Sequence, residues 1–534
     1  MIDFCEQIRS IAASLLVSVL LMGNPLTGSE PLDPEEFHIY LAIGGMNMSG
    51  GAPLEKEHSE VIDRCFLLNA EGQWEPASGS LNRYSTIRGE GSKESLGPLR
   101  GFVRQMLKAN GNISIGLVVN AGEGNRNYIE HWRYKDSNYR EARKRLKQAR
   151  RKGTLKGVLW HQDGNRIDSS LSYLKDMIGN LRVDQKMLNL PFVVGRVGGA
   201  GFRQYDSKYR ALKEDVHAIG YATSEDLSLE GRYFDSKSAL ALGELYADEM
   251  LRVHREWPFM EDSSFRPDVD VIDVHVHARE KTVNGLDEVR DWMARNGVRR
   301  CISLPLTPVV PKNEEERKVM LENFSTHKGK VDRFCIIEPE DVSTVDEAVA
   351  ILKKEKAEGA IGFGEHYGRN RMFDDPANLR LYEACEIVGL PICFHIDNNK
   401  NMEEKGLPRL ERVLKMFPKC NFIAHAQFWL QFVDGTCDRL LQKYPNLYAE
   451  PSGLRMVSVL NRDRTYTKKF LIRNADKILF GTDAGWWSFK KSVEQREMQF
   501  SLFEQLDLPK DVKEKIYYKN ASKLFGFGLS DTDR

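Results

Sequence analysis

The chain has 534 residues, of which 41% are hydrophobic and 29% are charged, and its 77 acidic residues balance 77 lysines and arginines. This length exceeds one ordinary domain, and the composition excludes disordered and fibrous classes in favour of a globular protein with sizeable cores. A net charge of zero gives no overall field that attracts nucleic acid, so nucleic acid is not an expected partner.

An apolar run spans Ile11–Met22, near the start of the chain. It is too short to cross a bilayer but suits the hydrophobic core of a secretory signal. Small residues follow at 27–29, although Asp3 and Glu6 give the preceding flank the wrong charge for a signal. We expect residues 1–29 to be a signal peptide of a protein exported to the periplasm or the extracellular space. A helix packed on the first domain of a cytoplasmic protein is the alternative, and no other segment is apolar enough to span a membrane.

The stretch FHIYLAIGGMNMSGG, residues 37–51, predicts a buried strand that runs into a glycine-rich turn. Hydrolases use such turns to expose a nucleophile, because glycine allows a sharp bend beside free N–H groups. The residue in the middle of this turn is Met46, whose thioether has no nucleophilic proton to lose. The turn alone therefore leaves open whether this half of the chain is catalytic.

Strand-like and helix-like segments alternate through the first half. The strands are predicted at 38–43, 113–119, 157–161 and 191–197, and the helices at 97–109, 139–152 and 235–253. This alternation favours a parallel α/β sheet with helices on both faces. Residues 139–156 are strongly basic, but no aromatic residue interleaves with the basic ones after Tyr139. We therefore interpret them as a solvated helix face rather than a nucleic-acid site.

A polar stretch with a proline, residues 263–270, precedes a more regular second half. Eight short apolar runs alternate there with charged amphipathic stretches, at 269–277, 298–306, 331–339, 359–366, 390–397, 420–427, 446–453 and 476–486. Eight strand–helix units in about 260 residues have the size and rhythm of a (β/α)₈ barrel. Active sites of that fold lie at the C-terminal ends of the strands.

Residues that commonly bind metals end five of these predicted strands. They are His275 and His277 on the first, Glu365 on the fourth, His395 on the fifth, His425 on the sixth and Asp483 on the eighth. The two histidines of the first strand are two residues apart, so they point to the same side. Burying several imidazoles and carboxylates together is costly, and a divalent cation removes that cost. These ligand types suit zinc, manganese or iron.

Residues 269–527 resemble the amidohydrolase superfamily, in particular the amidohydrolase-related group that includes aminocarboxymuconate-semialdehyde decarboxylase. The matching elements are the HxH of the first strand, the histidines of the fifth and sixth, the aspartate of the eighth and the closing YYKNASKLFG. The resemblance implies a bound divalent metal, which we expect to be zinc, with manganese or iron as alternatives. The implied ligands are His275, His277, His395 and Asp483.

The resemblance also implies roles for three of the residues at the site. His425 is expected beside the metal-activated water, as a further ligand or as the group that polarises the substrate. Asp483 is expected to accept a proton from that water. Glu365 stands where many members have a carbamylated lysine or no ligand. Because a carboxylate there bridges two metals in some members, the number of ions, one or two, stays open.

Residues 37–254 resemble the sialate O-acetylesterase group of SGNH hydrolases. The blocks GGMNM (44–48), WHQDG (160–164) and EGRYF (230–234) stand where that family has GQSNM, WHQGE and Asp-Gly-x-His-Phe. Met46, Tyr233 and Glu230 thus replace the nucleophile, the base and its orienting acid, which implies that the domain has lost esterase activity. A glycan ligand without turnover remains open. Trp132, Trp160, His161 and Gln162 belong either to a vestigial sugar cleft or to the core.

The sequence therefore predicts a signal segment at 1–29, a degenerate esterase-like three-layer α/β/α domain at 36–254 and a metal-dependent (β/α)₈ barrel at 269–528. A divalent cation lowers the pKa of bound water to about 7, which favours hydrolysis of a small ester, lactone or amide. Non-oxidative decarboxylation of a small carboxylic acid is the first alternative. A non-catalytic carbohydrate-binding or structural protein is the second. The sequence does not predict the oligomeric state.

Overall fold

The computed structural model describes residues 33–88, 94–122, 129–162, 168–196, 203–258, 265–306, 314–485 and 489–528. The predicted signal segment, residues 1–29, lies outside the described residues. Within them the chain forms two parallel-sheet domains in sequence. None of the described helices combines the length and the apolarity that a bilayer span requires.

The first domain is built on a seven-stranded sheet. Its strands are β1 (Phe37–Gly44), β2 (Cys65–Leu68), β3 (Trp74–Pro76), β4 (Ser114–Ala121), β5 (Thr154–Gln162), β6 (Phe192–Arg196) and β7 (Ile219–Ala222). They lie side by side in the order β3-β2-β4-β1-β5-β6-β7, and all neighbours are parallel except β2 and β3. β1 and β4 are almost wholly buried because both faces of the sheet are covered.

Helices cover both faces of this sheet. They are α1 (Met46–Ser49, a single turn), α2 (Leu99–Ala109), α3 (Ser137–Ala149), α4 (Asp168–Asp184), α5 (Arg203–Arg210), α6 (Leu212–Asp215) and α7 (Ser236–Glu256). One hydrophobic core joins α2 and α7 to the sheet, and a second core joins α3 and α4 to its other face. Two small antiparallel pairs, Ala52–Pro53 with Ser95–Leu96 and Leu229–Glu230 with Tyr233–Phe234, lie outside the main sheet.

The second domain is a parallel barrel. Seven strands follow one another in chain order, β8 (Val271–Val276), β9 (Val298–Ser303), β10 (Val331–Cys335), β11 (Ala360–His366), β12 (Ile392–Ile396), β13 (Phe422–Ala426) and β14 (Leu447–Ala449). Residues 478–484 close the curl, because Leu479 N donates to Ala449 O of β14 and Val274 N of β8 donates to Phe480 O. This closing segment takes the place of the predicted eighth strand.

Helices follow the strands of the barrel. They are α8 (Asp287–Asn296), α9 (Glu314–Thr326), α10 (Val345–Ala357), α11 (Pro376–Val388), α12 (Pro408–Met416), α13 (Thr436–Lys443), α14 (Leu454–Asn461), α15 (Arg464–Arg473), α16 (Phe489–Gln505), α17 (Lys510–Glu514) and α18 (Asn520–Phe525). The main barrel core lies between these helices and the strands, and a smaller cluster fills the barrel interior.

The two domains pack through α4 and α14. Arg462 Nη1 lies 2.6 Å from Asp176 Oδ1, and Ser458 Oγ donates to Asn180 Oδ1 at 3.1 Å. A Cβ added to Gly179 would lie 3.0 Å from the carbonyl oxygen of Ser458, so glycine is what permits this close approach.

The predicted fold class, an α/β/α domain followed by a (β/α)₈ barrel, is confirmed. The strands β2, β3 and β7 were not predicted. Each has four residues or fewer, which gives too few positions for a hydrophobic pattern to stand out.

Candidate metal centre

His275 and His277 lie on β8 and point into the barrel, as their spacing predicts. Both are almost fully buried, with exposed fractions of 0% and 1%. Their Nε2 atoms are 3.2 Å apart. Nδ1 of His277 lies 2.8 Å from the carbonyl oxygen of Leu304, so this nitrogen carries the proton and leaves the Nε2 lone pair facing the centre.

Glu365 ends β11 and lies between two pairs of histidines. Its Oε2 is 3.5 Å from Nε2 of both His275 and His277. Its Oε1 is 2.6 Å from Nδ1 of His395, which lies on β12, and 3.5 Å from Nε2 of His425, which lies on β13. Each carboxylate oxygen thus forms a potential three-atom ligand group with one pair of imidazoles.

Asp483 lies in the segment that closes the barrel. Its Oδ1 is 3.2 Å from His277 Nε2 and 4.0 Å from His275 Nε2, and its N–H donates to the His275 carbonyl oxygen at 2.8 Å. With 23% of its side chain exposed, it is open to solvent while its histidine neighbours are not. The six predicted site residues are therefore brought together, with Asp483 on the accessible side.

Glu450, which follows β14, is a residue of the centre that was not predicted from the sequence. Its Oε1 lies 2.7 Å from Nδ1 of His275 and 2.7 Å from Nδ1 of His425, and the residue is fully buried. Ser452 N donates to its Oε2 at 2.8 Å, and Trp429 Nε1 donates to its backbone oxygen at 2.9 Å. The sequence does contain a signal for Glu450, because this acid ends the apolar run NLYAE. Glu365 ends the fourth predicted strand in the same way.

Two further missed residues hold the ligands of β11 and β12. Tyr367 Oη donates to Glu365 Oε2 at 2.9 Å. Asp397 Oδ2 lies 3.2 Å from His395 Nε2 and 3.4 Å from Lys400 Nζ. The Lys400 ammonium also sits 4.7 Å from the centre of the Tyr367 ring. These contacts fix the two ligands from outside the centre.

Opposite charges act against the effect of burial in this cluster. Burial raises the pKa of Glu450, but the neighbouring His425 and His275 outweigh burial and bring it down to about 2. Burial also opposes ionisation of Glu365, yet His425, His275 and His395 hold its pKa well below the ordinary value. In return Glu450 and Glu365 raise the pKa of His275 well above its ordinary value, against the effect of burial.

The chemistry of this donor set fits a divalent metal. Four imidazoles and three carboxylates converge in a buried space, and the donors are the nitrogen and oxygen ligands that zinc, manganese and iron take. Cys393 also lies beside His275 and Glu450. Burial raises the pKa of its thiol to about 12, so the thiol is protonated at neutral pH unless a metal binds it.

His366 points away from this cluster. It is fully buried, its Nε2 pairs with Asn378 Oδ1 at 3.1 Å, and its ring lies against Phe363. It is a packing residue, because its contacts are with Asn378, Phe363 and Tyr382 rather than with the ligands of the cluster.

In the first domain, α1 and the hairpin of EGRYF adjoin each other. Asn47 bonds the backbone of both Arg232 and Phe234, and the ring of Tyr233 lies against Gly51. Ser49 accepts a hydrogen bond from Asn82. The turn that holds Met46 and the hairpin that holds Tyr233 and Glu230 are therefore adjacent, and Glu230 is exposed.

The residues considered for a sugar cleft are in the core. Trp132 and Trp160 have exposed fractions of 1% and 0% and pack edge to face. His161 is fully buried and its Nδ1 bonds the Tyr246 hydroxyl at 2.9 Å. Gln162 is 6% exposed. Residues 163 and 164, the end of the WHQDG block, lie outside the described residues.

Comparison with protein families identifies both halves. Residues 36–252 match the family of carbohydrate esterases described as sialic acid-specific acetylesterases. Residues 312–527 match the amidohydrolase family, a match that includes Glu365, His395, His425 and Asp483 but begins after the HxH strand. Both resemblances drawn from the sequence are thereby confirmed.

Solved structures resemble about half of the chain each. A protein from Arabidopsis thaliana is 24% identical over 41% of this chain and 99% of its own, with a TM-score of 0.36. A 5-carboxyvanillate decarboxylase from Novosphingobium aromaticivorans, complexed with manganese, is 11% identical over 49% of this chain and 97% of its own, with a TM-score of 0.34. An amidohydrolase from Burkholderia multivorans with bound zinc is 13% identical over 49% of this chain and 100% of its own, with a TM-score of 0.36. No curated protein is similar enough in sequence to count as a match.

Proposed function

We propose that this enzyme, whose C-terminal half is an amidohydrolase domain, is a metal-dependent hydrolase of small esters, lactones or amides. The observation that carries the proposal is the position of Glu365, whose two oxygens each face a different pair of histidines. A carboxylate in that position suits a pair of metal ions, and two-metal sites are common among hydrolases.

The residues divide into two ligand groups that share Glu365. His275, His277 and Asp483 would hold one ion, and His395 and His425 would hold the other. Zinc is the metal we expect, because imidazole and carboxylate are its usual ligands in hydrolases. When bound, such a cation supplies an acidified water near neutral pH and a Lewis acid for the substrate oxygen.

Asp483 is the residue placed to move a proton. It is the most exposed carboxylate of the cluster and contacts His277, so it lies where substrate and water reach the centre. A carboxylate there accepts a proton from the attacking water and returns it to the leaving group.

Glu450 orients two of the histidines. By accepting from Nδ1 of His275 and of His425, it keeps the Nε2 lone pairs of both rings directed toward the centre. Glu450 is thus a positioning residue rather than a ligand.

Metal analysis followed by a substrate screen tests the proposal. The purified protein should contain about one to two equivalents of a divalent metal, and esters, lactones, amides and aromatic carboxylic acids should be screened with wild type and Asp483→Asn. Hydrolysis that disappears in Asp483→Asn supports the proposal. Release of carbon dioxide from an aromatic acid, without hydrolysis of any ester, would instead assign the decarboxylase alternative. Protein that holds no metal and gains no activity with added zinc or manganese contradicts both.

A further inference from the structure

A basic surface on α3 is unused by the proposed chemistry of the barrel. We define this α3 basic surface by residues that share a solvent-facing groove: Arg140, Arg143, Lys144, Lys147, Arg150 and Arg151. The groove has a volume of about 680 Å³ and runs between α3 and the end of α4, where Asp184 and Gln185 form its other wall.

The helical period places these cations on one side of α3. Residues 140, 143, 144 and 147 recur at intervals of three and four, which is one face of an α-helix. All four are exposed, whereas Ala142, Leu146 and Ala149 on the opposite side are buried in the core of the domain. Arg145 is buried and bonds the backbone of Tyr84 and Leu68, so it does not belong to the surface.

The surface carries a surplus of positive charge. Two acids lie within it, Glu141 at 3.6 Å from Lys144 and Asp184 at 3.3 Å from Arg143. Asp184 also accepts a hydrogen bond from Tyr139. Six cations against two acids give a local excess of four, on a chain whose total charge is zero. This concentration of charge on one groove attracts an anionic partner.

The chemistry of the surface favours an anionic polysaccharide over other polyanions. Among the described residues from 137 to 152 there is no large exposed hydrophobic side chain, which an inserted membrane face would need. The same residues, 137 to 152, include no exposed aromatic side chain on which a nucleic-acid base would stack. The exposed Tyr134 precedes α3 and packs against Tyr139. Four of the six cations are arginines, whose planar guanidinium groups pair with carboxylate or sulfate in a bidentate manner.

The shape of the surface agrees with this occupant. From residue 140 to residue 151 the chain rises by about 16 Å, at ~1.5 Å per residue, which is the length of a few sugar units. A groove receives a single thin chain, whereas a duplex or a membrane meets a broad surface. We propose that the α3 basic surface binds a linear polysaccharide that carries carboxylate or sulfate groups. The non-catalytic half would then hold the enzyme on such a polymer.

Binding to this surface should be salt-dependent. The cations are exposed, so their attraction to an anion is screened within about 10 Å at 0.1 M salt. Each anionic group that displaces counterions adds to the salt dependence. We expect binding of the full chain to polygalacturonate or heparin to weaken by at least tenfold between about 50 mM and 500 mM NaCl.

Charge reversal at two matched places provides the test. Arg140→Glu with Lys147→Glu changes the α3 basic surface, and Lys353→Glu with Lys354→Glu makes the same change of charge on α10 of the barrel, where both lysines are exposed. The α3 variant should lose at least tenfold in affinity for polygalacturonate or heparin, while the α10 variant keeps the wild-type affinity. Both should keep the thermal unfolding temperature of the wild type and the same metal content.

Three outcomes would overturn the proposal. Equal loss in the two double variants would assign binding to total charge rather than to this surface. Tighter binding to a duplex DNA or to phosphatidylserine vesicles than to either polysaccharide would assign a different partner. Absence of binding to both polysaccharides at about 50 mM salt would remove the surface as a site. None of these outcomes depends on the chemistry of the barrel.

Discussion

Glu450 lies 2.7 Å from Nδ1 of His275, although 175 residues separate the two in sequence. The same oxygen is 2.7 Å from Nδ1 of His425, so one carboxylate that follows β14 orients ligands on β8 and β13. This contact gives the end of the seventh strand a part in the centre.

Changing Glu450 to glutamine should weaken metal binding. The amide oxygen accepts a hydrogen bond but carries no charge, and the amide nitrogen donates where a second acceptor is needed. Loss of such an orienting partner typically costs about 10- to 100-fold in metal affinity or activity. Zinc affinity measured by competition with a chelator checks this. Glu383→Gln, at an exposed position on α11, is the control, and unchanged affinity in Glu450→Gln would contradict the assigned role.

The sequence predicted the barrel and six of the residues at its centre, because a ligand at a strand end stands out against an apolar run. Glu450 has the same signal, but its partners His275 and His425 are 175 and 25 residues away in the chain. Contacts of that kind depend on which strands close the barrel, and a local pattern does not contain this information. Tyr367 and Asp397 were missed for a related reason, since each acts through a ligand rather than as one.

Changing Glu365 to alanine should reduce the metal content of the protein. Both ligand groups use this carboxylate. Its removal takes one oxygen ligand from the β8 pair of histidines and one from His395 and His425. We expect the metal content to fall from about two ions to one or fewer, with at least a 100-fold loss in kcat/KM. Metal analysis of the purified variant gives the count. The prediction is wrong if the wild type holds a single ion and the variant keeps that ion with full activity. Glu365 would then not be shared between two metal ions.

The contacts of Glu411, a residue outside the metal centre, predict that the stability of the protein depends on pH. Hydrogen bonds from Lys443, Tyr444 and Arg439 lower its pKa from 4.5 to about 2. A depressed carboxyl pKa adds stability that is complete above about pH 4.5 and is lost as the pH falls toward 2. Because Lys443 and Arg439 are about half exposed, screening by solvent keeps the contribution of these contacts to stability small.

Glu411→Gln measures this contribution. At pH 7 the variant should unfold about 2–4 °C below the wild type, and the gap should narrow as the pH approaches 3. Differential scanning calorimetry at both pH values gives the gap, with Glu383→Gln again as the exposed control. A gap of the same size at pH 3 would assign it to packing rather than to charge.

Gly179 tests whether the first domain supports the metal centre. The helix α14 packs on α4 at the point where Gly179 meets Ser458. This helix begins two residues after Ser452, whose Oγ lies 3.1 Å from His425 Nδ1. A valine at 179 would push against the Ser458 backbone and shift this helix. We expect Gly179→Val to lower zinc affinity severalfold as well as the unfolding temperature.

The matched variant for this test is Lys237→Val, which places the same side chain in an exposed position of α7. It introduces the same β-branched side chain into a helix, but without a contact between the domains. If Gly179→Val lowers the unfolding temperature but leaves zinc affinity at the wild-type value, the contact stabilises the protein without supporting the centre.

The turn GGMNM has Met46 in place of a nucleophilic serine. We expect no serine-esterase activity from the first domain, even after Met46 is changed to serine. Met46→Ser alone restores a hydroxyl, but Tyr233 is a poor base at neutral pH and Glu230 is exposed on its hairpin. Because a nucleophile without its base loses several orders of magnitude in rate, the variant should hydrolyse acetylated sugars no faster than background. The assay should use an Asp483→Asn background, so that any barrel activity is absent.

The triple change of Met46→Ser, Tyr233→His and Glu230→Asp is the positive control. Acetylesterase activity from Met46→Ser alone would mean that another residue already serves as the base.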